Sequence, residues 1–256
     1  MSNQSRDAVS CATSVGEITA ILAARGCPDL TEHINWDECG SLPIAGGGFC
    51  DVYRGRLYKG TDIAIRSLRI FDSPGEDNQT AVLKNAAKEL YHWSKLRHTN
   101  VLPLMGLAMY RGHISMVSEW MSNGNLSRYL IHHPEVDRLL LCQDICAGLQ
   151  YIHSQGMVHG DMKAANVMVS PEGVPMIADF GNARLKELTI EFTGTTHRAV
   201  SLRWAAPELL IVEGSKPSIQ SDIYAFGMTA LVIIIHYGYN RRLTQETGNF
   251  HRRDPL

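Results

Sequence analysis

The chain has 256 residues, of which 45% are hydrophobic and 20% are charged, so it can bury a sizeable core in one large domain or two small lobes. Its formal net charge of −2 gives no long-range field for gathering nucleic acid, which argues against a polyanion-binding protein. The longest apolar run, residues 228–235, is far shorter than the roughly 20 residues that a membrane span requires.

Residues 1–40 are predicted to form an N-terminal extension whose role the sequence does not indicate. It contains one weakly amphipathic segment, residues 15–25, which ends at Gly26 and Pro28. The N-terminus lacks an apolar signal core, and the six cysteines of the chain include no CxxC pair. We therefore expect reduced thiols and a cytoplasmic, intracellular location.

Strand-like patterns follow at residues 42–44, 51–57 and 62–66, with the glycine cluster AGGGFC between the first two. A glycine cluster can open a dinucleotide-binding helix, but the residues after this one alternate like a strand, which argues against a Rossmann fold. A glycine-rich hairpin can instead lay its backbone N–H groups over phosphates. An ordinary flexible hairpin is the alternative that this cluster alone leaves open.

Further along the chain, helical spacing over residues 79–97 places Glu89 on or beside an apolar face, where its carboxylate needs a basic partner. An exposed glutamate on a surface helix is the alternative. Two strands are predicted at residues 101–110 and 113–120, followed by a helix from Leu126. A second helix over residues 135–154 has an apolar stripe, which predicts that two cysteines are core residues rather than ligands. The stripe comprises Leu139, Cys142, Cys146, Leu149 and Ile152.

The segment from residue 159 to residue 181 carries the chemistry. Two apolar stretches, residues 167–169 and 176–178, flank a turn-forming Ser-Pro-Glu-Gly, which predicts a β-hairpin. The hairpin would hold Asp161, Lys163 and Asn166 near Asp179. Magnesium needs only one or two protein oxygens besides phosphates and water, and Asn166 and Asp179 can supply them. Asp161 can then accept a proton from an attacking hydroxyl, while Lys163 offsets charge on a moving phosphoryl group.

The sequences HGDMKAAN and DFG in this segment resemble the catalytic and metal-binding loops of eukaryotic protein kinases. The segments AGGGFC, AIR, LRWAAPE and SDIYAFG occur in kinase order. The residues of AGGGFCDVYRG, HGDMKAAN and SDIYAFGMT resemble those of the tyrosine-kinase-like group of serine/threonine kinases, particularly the fungal sets. The resemblance implies an α+β, bilobal protein-kinase-like fold. An antiparallel-sheet N-lobe with one helix would occupy residues 41–121, and a mainly helical C-lobe residues 122–239.

The resemblance also implies the site. Asp161 and Lys163 would be the catalytic residues, Asn166 and Asp179 the Mg²⁺ ligands, ATP the phosphoryl donor, and a protein serine or threonine the acceptor. Ser118 would be the gatekeeper, residues 119–121 the hinge that pairs with adenine, and Asp222 a residue that binds the backbone of the catalytic loop. The nucleotide would contact Ala45, Gly46, Gly47, Gly48, Phe49, Val52, Ala64, Arg66, Glu89, Ser118, Glu119, Met121 and Asn166.

Three departures from the family pattern bear on function. Ala45 and Cys50 stand where the pattern has its first and third glycines, and Arg66 stands where it has the phosphate-holding lysine. Arginine keeps the charge, but its planar head is not interchangeable with an ammonium at a tight site. A misplaced transition-state contact would cost roughly 3 kcal/mol, about a hundredfold in rate. The alternative to an active kinase is therefore a pseudokinase, which would act as a nucleotide-binding or scaffolding module.

The third departure is Gly160, which replaces the arginine of the HRD pattern. In kinases with this feature the activation segment does not depend on a phosphate–arginine clamp. We therefore predict that phosphorylation of Thr193, Thr195 or Thr196 is not required for activity.

The end of the chain departs from the pattern as well. Residues 228–235 are apolar on every side and should be buried, while residues 240–256 form a polar, basic tail in which we predict no helical stripe beyond Arg241. The resemblance implies further helices that would cover this one, and no sequence pattern matches them. We therefore expect a truncated domain with an incomplete C-lobe, and association through the helix that is left exposed. A small-molecule kinase of similar fold is a third, more distant reading, since LRWAAPE belongs to the protein-substrate pattern.

Overall fold

A computed structural model describes residues 23, 26–46, 50–68, 90–111, 113–185 and 201–250 of the chain. The chain divides into two compact units, one formed by Met1–Arg97 with Pro103–Trp120 and the other by His98–Leu102 with Met121–Leu256. The first unit contains the large antiparallel sheet and the second contains the long helices. This arrangement confirms the predicted α+β, bilobal protein-kinase fold.

The sheet of the first unit has strands β1 (Ile34–Asn35), β2 (Ala45–Gly46), β3 (Cys50–Leu57), β4 (Asp62–Leu68), β5 (Leu104–Tyr110) and β6 (His113–Glu119). Their order is β1-β3-β4-β6-β5, and β2 also pairs with β3. Strand residues alternate between two faces, and one face is the hydrophobic core, which includes Tyr53, Ile63, Ile65 and Val117. The opposite face carries Val52 of β3 and Arg66 of β4, which lie directly opposite each other in the antiparallel pair.

The predicted strand at residues 42–44 is wrong. Leu42 and Ile44 are 76% and 53% exposed, and the strand begins only at Ala45, although Ile44 N donates to Val52 O at 2.9 Å. Pro43 between them has no N–H to donate to a ladder, which explains why the strand does not continue back through this residue. The other strands are present, although β5 begins at Leu104, three residues later than predicted.

Residues 28–36, which include β1 and precede the other strands, belong to the sheet of the first unit. The backbone of Leu107 on β5 accepts a hydrogen bond from Leu30 N at 2.8 Å and donates one to Pro28 O at 2.9 Å. A 3-10 turn then leads to β1, which pairs with β3. Ile34 is fully buried and Trp36 stacks on Tyr110 at 5.3 Å. Residues 28–36 therefore link β5 to β3 and complete the core of this unit.

Two predicted helices of the first unit fall largely outside the described residues. The segment at residues 15–25 is one. Of the helix predicted over residues 79–97, the described part is helical at residues 90–94 and buries Leu90 and Trp93. Glu89 lies outside the described residues, so its predicted pairing stays a prediction.

The second unit contains α1 (Leu126–His132), α2 (Arg138–Ser154), α3 (Pro207–Ile211) and α4 (Ile219–Phe250), with the short strands β7 (Met157–Val158), β8 (Val167–Val169), β9 (Pro175–Ile177) and β10 (Arg184–Leu185). Helix α2 begins three residues later than predicted because Asp137 is its N-cap. The Asp137 carboxylate accepts hydrogen bonds from Leu139 N at 2.9 Å and Leu140 N at 3.0 Å.

The predicted apolar stripe of α2 is wrong at its N-terminal half. The buried residues are Leu141, Ile145, Gly148, Leu149 and Ile152, whereas Leu139 is 68% exposed and Cys146 is exposed. A Cβ on Gly148 would lie 2.5 Å from the carbonyl oxygen of Asn100, so the helix approaches this segment most closely at its glycine. That contact sets the rotation of the helix and turns the thiol of Cys146 toward solvent.

Helix α4 begins with two serines that cap each other, because Ser218 N donates to Ser221 Oγ at 2.9 Å and Ser221 N donates to Ser218 Oγ at 3.1 Å. It then runs to Phe250, so the backbone is helical in the stretch where we predicted no helical stripe. The good helix formers Arg, Leu, Gln and Glu occupy much of that stretch. None of the helices in the described part of the chain is long and apolar enough to span a bilayer.

The apolar middle of α4 is only partly buried. Ile233 is fully buried, whereas Leu231, Ile234 and Ile235 are 46%, 59% and 59% exposed. These three apolar side chains are therefore partly exposed, and the association expected through this helix stays a prediction.

Candidate active site

The predicted hairpin is present and holds the site together. Strands β8 and β9 pair from Val167↔Ile177 to Val169↔Pro175, and the turn between them contains Gly173 at φ +87°. At the open end, Ala178 N donates to the backbone oxygen of Asn166 at 2.8 Å. The hairpin thus brings Asn166, which precedes β8, next to the residue before Asp179.

Two of the predicted residues, Lys163 and Asn166, donate hydrogen bonds to the carboxylate of a third, Asp161. Lys163 Nζ donates to Asp161 Oδ2 at 2.7 Å, and Asn166 Nδ2 donates to the same oxygen at 3.0 Å and to the Asp161 carbonyl oxygen at 2.8 Å. The side chains of Asp161 and Lys163 are 13% and 21% exposed, so solvent screens their interaction only in part. The two hydrogen bonds to Oδ2 therefore fix the orientation of the Asp161 carboxylate.

Ser201 completes this cluster, and the sequence analysis missed it. Its hydroxyl donates to Asp161 Oδ1 at 3.2 Å and accepts from Lys163 Nζ at 3.0 Å. The only signal in the sequence is its place directly before LRWAAPE, since no helical or strand period links residue 201 to the hairpin.

The loop that carries Asp161 is anchored to the start of α4. Asp222 is 1% exposed and accepts hydrogen bonds from His159 N and Gly160 N, both at 2.8 Å. This confirms the prediction that Asp222 binds the backbone of the loop. His153 Nε2 also lies 2.9 Å from the Asp222 carboxylate, a contact that the sequence analysis did not anticipate.

The His159 side chain ties the same loop to the end of the hairpin. Its imidazole is fully buried, with Nε2 at 3.0 Å from Ala178 O, and it packs edge-on against Phe180 at 5.4 Å. Phe180 is 1% exposed. Asp179 therefore lies between two fixed neighbours.

Backbone strain marks the site as well. Asp179 has φ +66°, in the left-handed region, and is one of two non-glycine residues with positive φ among the described residues. Gly160 also has a positive φ, +79°, where the absence of a Cβ atom removes the steric cost. The two loops that bracket the hairpin thus adopt conformations that the surrounding hydrogen bonds must maintain.

The oxygen donors at this end of the hairpin suit magnesium. In the described part of the chain no three His, Cys, Asp or Glu side chains form a metal-binding group. The Nδ2 group of Asn166 is turned to Asp161, so its Oδ1 is the atom that can meet a cation, and Asp179 offers a carboxylate. Two hard oxygens fit an ion that keeps waters and takes its other ligands from phosphates.

In the first unit, the sheet register aligns the predicted nucleotide-binding residues. Ala45 pairs with Val52, Val52 with Arg66, and Ala64 with Ser118. Because paired residues and residues two apart in a strand share a face, these side chains lie on the face opposite the core.

Some predicted nucleotide residues have defined surroundings. Arg66 Nε donates to Cys50 Sγ at 3.2 Å. Ser118 is 6% exposed, with its hydroxyl 3.4 Å from Glu119 O. Met121, assigned to the second unit, is 3% exposed. The predicted residues Gly47, Gly48, Phe49 and Glu89 lie outside the described residues, whereas Gly46 pairs with Asp51 in the sheet.

Known proteins share this sequence pattern. The profile described as protein tyrosine and serine/threonine kinase matches residues 41–246. The Arabidopsis thaliana serine/threonine-protein kinase STY46 is 32% identical over 189 residues, which are 72% of this chain and 31% of that protein. An L-type lectin-domain containing receptor kinase of the same plant is 31% identical over 199 residues, 75% of this chain and 28% of that protein.

A similar match comes from Dictyostelium discoideum, where a protein named as a probable serine/threonine-protein kinase is 29% identical over 229 residues, 85% of this chain and 24% of that protein. The chain thus spans about a quarter to a third of the length of these curated relatives. The narrower assignment to a fungal-type group and the expected truncation stay predictions.

Proposed function

The chain belongs to the protein tyrosine and serine/threonine kinase family, and on that premise we propose that it transfers the γ-phosphoryl group of ATP to serine or threonine hydroxyls of proteins. The observation that carries this proposal is the cluster around Asp161, in which an ammonium, an amide and a hydroxyl hold one carboxylate. Such a cluster suits a reaction in which catalysis is mostly positioning and charge stabilisation.

Asp161 is the base in this proposal, and its geometry indicates which oxygen acts. A carboxylate has about four lone-pair sites. Oδ2 accepts from both Lys163 and Asn166, while Oδ1 accepts from Ser201. Among the described contacts Oδ1 is thus the less occupied oxygen. The proton of the substrate hydroxyl passes to it as the bond from the hydroxyl oxygen to the γ-phosphorus forms and the bond from that phosphorus to the β,γ-bridging oxygen breaks, which releases ADP.

Lys163 has two roles in the proposed reaction. Its ammonium lies 2.7 Å from Asp161 Oδ2 and 3.0 Å from Ser201 Oγ, so it fixes the base and brings positive charge beside it. That charge offsets the negative charge on the moving phosphoryl group. Ser201 couples the two residues, because it donates to one and accepts from the other.

Asn166 and Asp179 are the proposed magnesium ligands. The ion, when bound, neutralises charge on the phosphates and helps to orient them. Ala178 N, at 2.8 Å from Asn166 O, keeps the two ligands at the same end of the hairpin.

The proposed nucleotide contacts of the first unit are those of the face that carries Val52, Ala64 and Arg66, together with the glycine cluster. Ser118, Glu119 and Met121 are proposed to receive the adenine, and Glu89 to orient Arg66. A role in intracellular signalling and the expected association through α4 stay predictions.

A pseudokinase is the second candidate function, and Arg66 favours it. A planar guanidinium at the phosphate-holding position presents a different shape from an ammonium. Nucleotide binding without turnover would follow if it misplaces the γ-phosphate.

The test is phosphate transfer from ATP to casein in the presence of Mg²⁺. The variants are Asp161→Asn, which removes the proposed base, and Arg66→Lys, which restores the family pattern, with the exposed Asp37→Asn as a matched control. We expect Asp161→Asn to lower kcat by at least about a hundredfold and the Asp37 variant to match the wild type. Equal background in the wild type, Asp161→Asn and Arg66→Lys would refute the enzyme and favour the pseudokinase.

A further inference from the structure

Two of the departures from the family pattern touch each other. Cys50, at the position of the third glycine, lies on β3, and Arg66, at the position of the lysine, lies on the adjacent strand β4. Arg66 Nε donates to Cys50 Sγ at 3.2 Å. A glycine at position 50 would have no side-chain atom that could accept this hydrogen bond.

The sheet register makes this contact a consequence of strand geometry. Val52 is the partner of Arg66, and Leu68 is the partner of Cys50, so Cys50 and Arg66 are diagonal neighbours on one face. Diagonal neighbours are within reach only of long side chains. Arginine has that reach, and its Nε–H, which lysine lacks, points sideways from the chain toward the thiol.

Burial makes the contact effective. Cys50 is 9% exposed, so little water competes for its sulfur. The guanidinium is planar, and a hydrogen bond at Nε therefore fixes the plane in which its two terminal nitrogens lie. Arg66 has other interactions as well. The contact with the thiol fixes the orientation of the guanidinium and leaves its charge unchanged.

We propose that Cys50 is a positioning residue for Arg66, which makes an arginine workable at the phosphate-holding position. This inference rests on the proposed function for its kinetic consequence, but the positioning itself is a property of the sheet. Cys50 does not contact substrate in this proposal. It acts only through the guanidinium.

The direct test is solvent exchange of the Arg66 Nε–H, measured by ¹⁵N–¹H NMR in the full chain without nucleotide. We expect exchange to be about three- to tenfold slower in the wild type than in Cys50→Ala, in line with one hydrogen bond of modest net strength. Cys50→Ser, which keeps an acceptor, should restore most of the protection, and the exposed Cys146→Ala is the control. Equal exchange in the wild type and Cys50→Ala would overturn the proposal whether or not the protein is an active kinase.

The kinetic test is a double-mutant cycle of Cys50→Ala and Arg66→Lys. Cys50→Ala should lower kcat/KM for ATP about three- to tenfold in the wild-type background. The KM for casein should not change. In the Arg66→Lys background the same change should have little effect, because lysine has no Nε–H for the thiol to hold. Additive effects in the two backgrounds would refute the coupling.

If no variant turns over ATP, the proposed function fails, and the affinity for ATP replaces kcat/KM in the same cycle. If ATP does not bind either, the exchange measurement alone decides the positioning role. The two failures are therefore distinguishable.

Discussion

Replacing Asp222 by alanine should destabilise the second unit severely, because this carboxylate is the acceptor for two consecutive backbone N–H groups. The donors, His159 N and Gly160 N, each lie 2.8 Å from it, and Asp222 is 1% exposed. A buried donor left without an acceptor costs about 1–3 kcal/mol, so the pair gives a loss of about 2–6 kcal/mol. His153 Nε2, which lies 2.9 Å from the same carboxylate and whose side chain is 13% exposed, would lose this contact as well.

The assay is urea denaturation followed by far-UV circular dichroism, with the m value checked for constancy. Asp222→Asn keeps one acceptor oxygen and should lose about half as much as the alanine variant. Glu213→Ala, at an exposed turn carboxylate of the same unit, is the control and should stay within about 0.5 kcal/mol of wild type. A free energy of unfolding for Asp222→Ala equal to that of this control would show that the loop does not depend on the anchor.

Three further results are expected. Ser201→Ala should lower kcat about tenfold without changing the KM for ATP, since one hydrogen bond to the proposed base is lost, whereas Ser201→Thr should retain activity; equal kcat in both variants would contradict the role of the hydroxyl. Gly160→Ala, at φ +79°, should lower the free energy of unfolding in urea by about 1–2 kcal/mol. Gly227→Ala, where a new Cβ meets nothing within 4 Å, should raise it by about 0.5–1 kcal/mol. A hydrogen bond from Arg54 lowers the pKa of Asp62 in the folded state, so this carboxylate stabilises the fold above about pH 4 and loses that effect as the pH falls through its lowered pKa. The difference in melting temperature between wild type and Asp62→Asn should therefore shrink at acid pH, and a difference that grows there would contradict the assignment.

Local patterns were sufficient to predict the hairpin and the cluster of side chains beside it. The apolar segments and turn at residues 167–178 indicated β8 and β9, and the short spacing between Asp161, Lys163 and Asn166 kept those residues in one loop. The geometry then confirmed that these side chains meet. Because all of these residues lie within one supersecondary unit, no long-range packing was needed to bring them together.

Long-range packing explains what the sequence analysis missed. Ser201 lies 40 positions from Asp161, and no period in the chain connects them. The rotation of α2 about its axis depends on how closely Gly148 approaches Asn100. The spacing of apolar residues in the sequence does not contain this information and therefore placed Cys146 on the wrong face. Exposure of Leu139 follows from the same rotation.

The segment around residues 28–36 has a consequence for how the protein is handled in pieces. A fragment that begins at residue 41, where the family match starts, would lack Ile34 and Trp36 and would leave the backbone of Leu107 on β5 uncovered. An uncovered strand with apolar neighbours is a template for pairing with other chains. Such a fragment should precipitate or form intermolecular sheet, whereas one that begins at or before residue 26 keeps the segment that shields this edge.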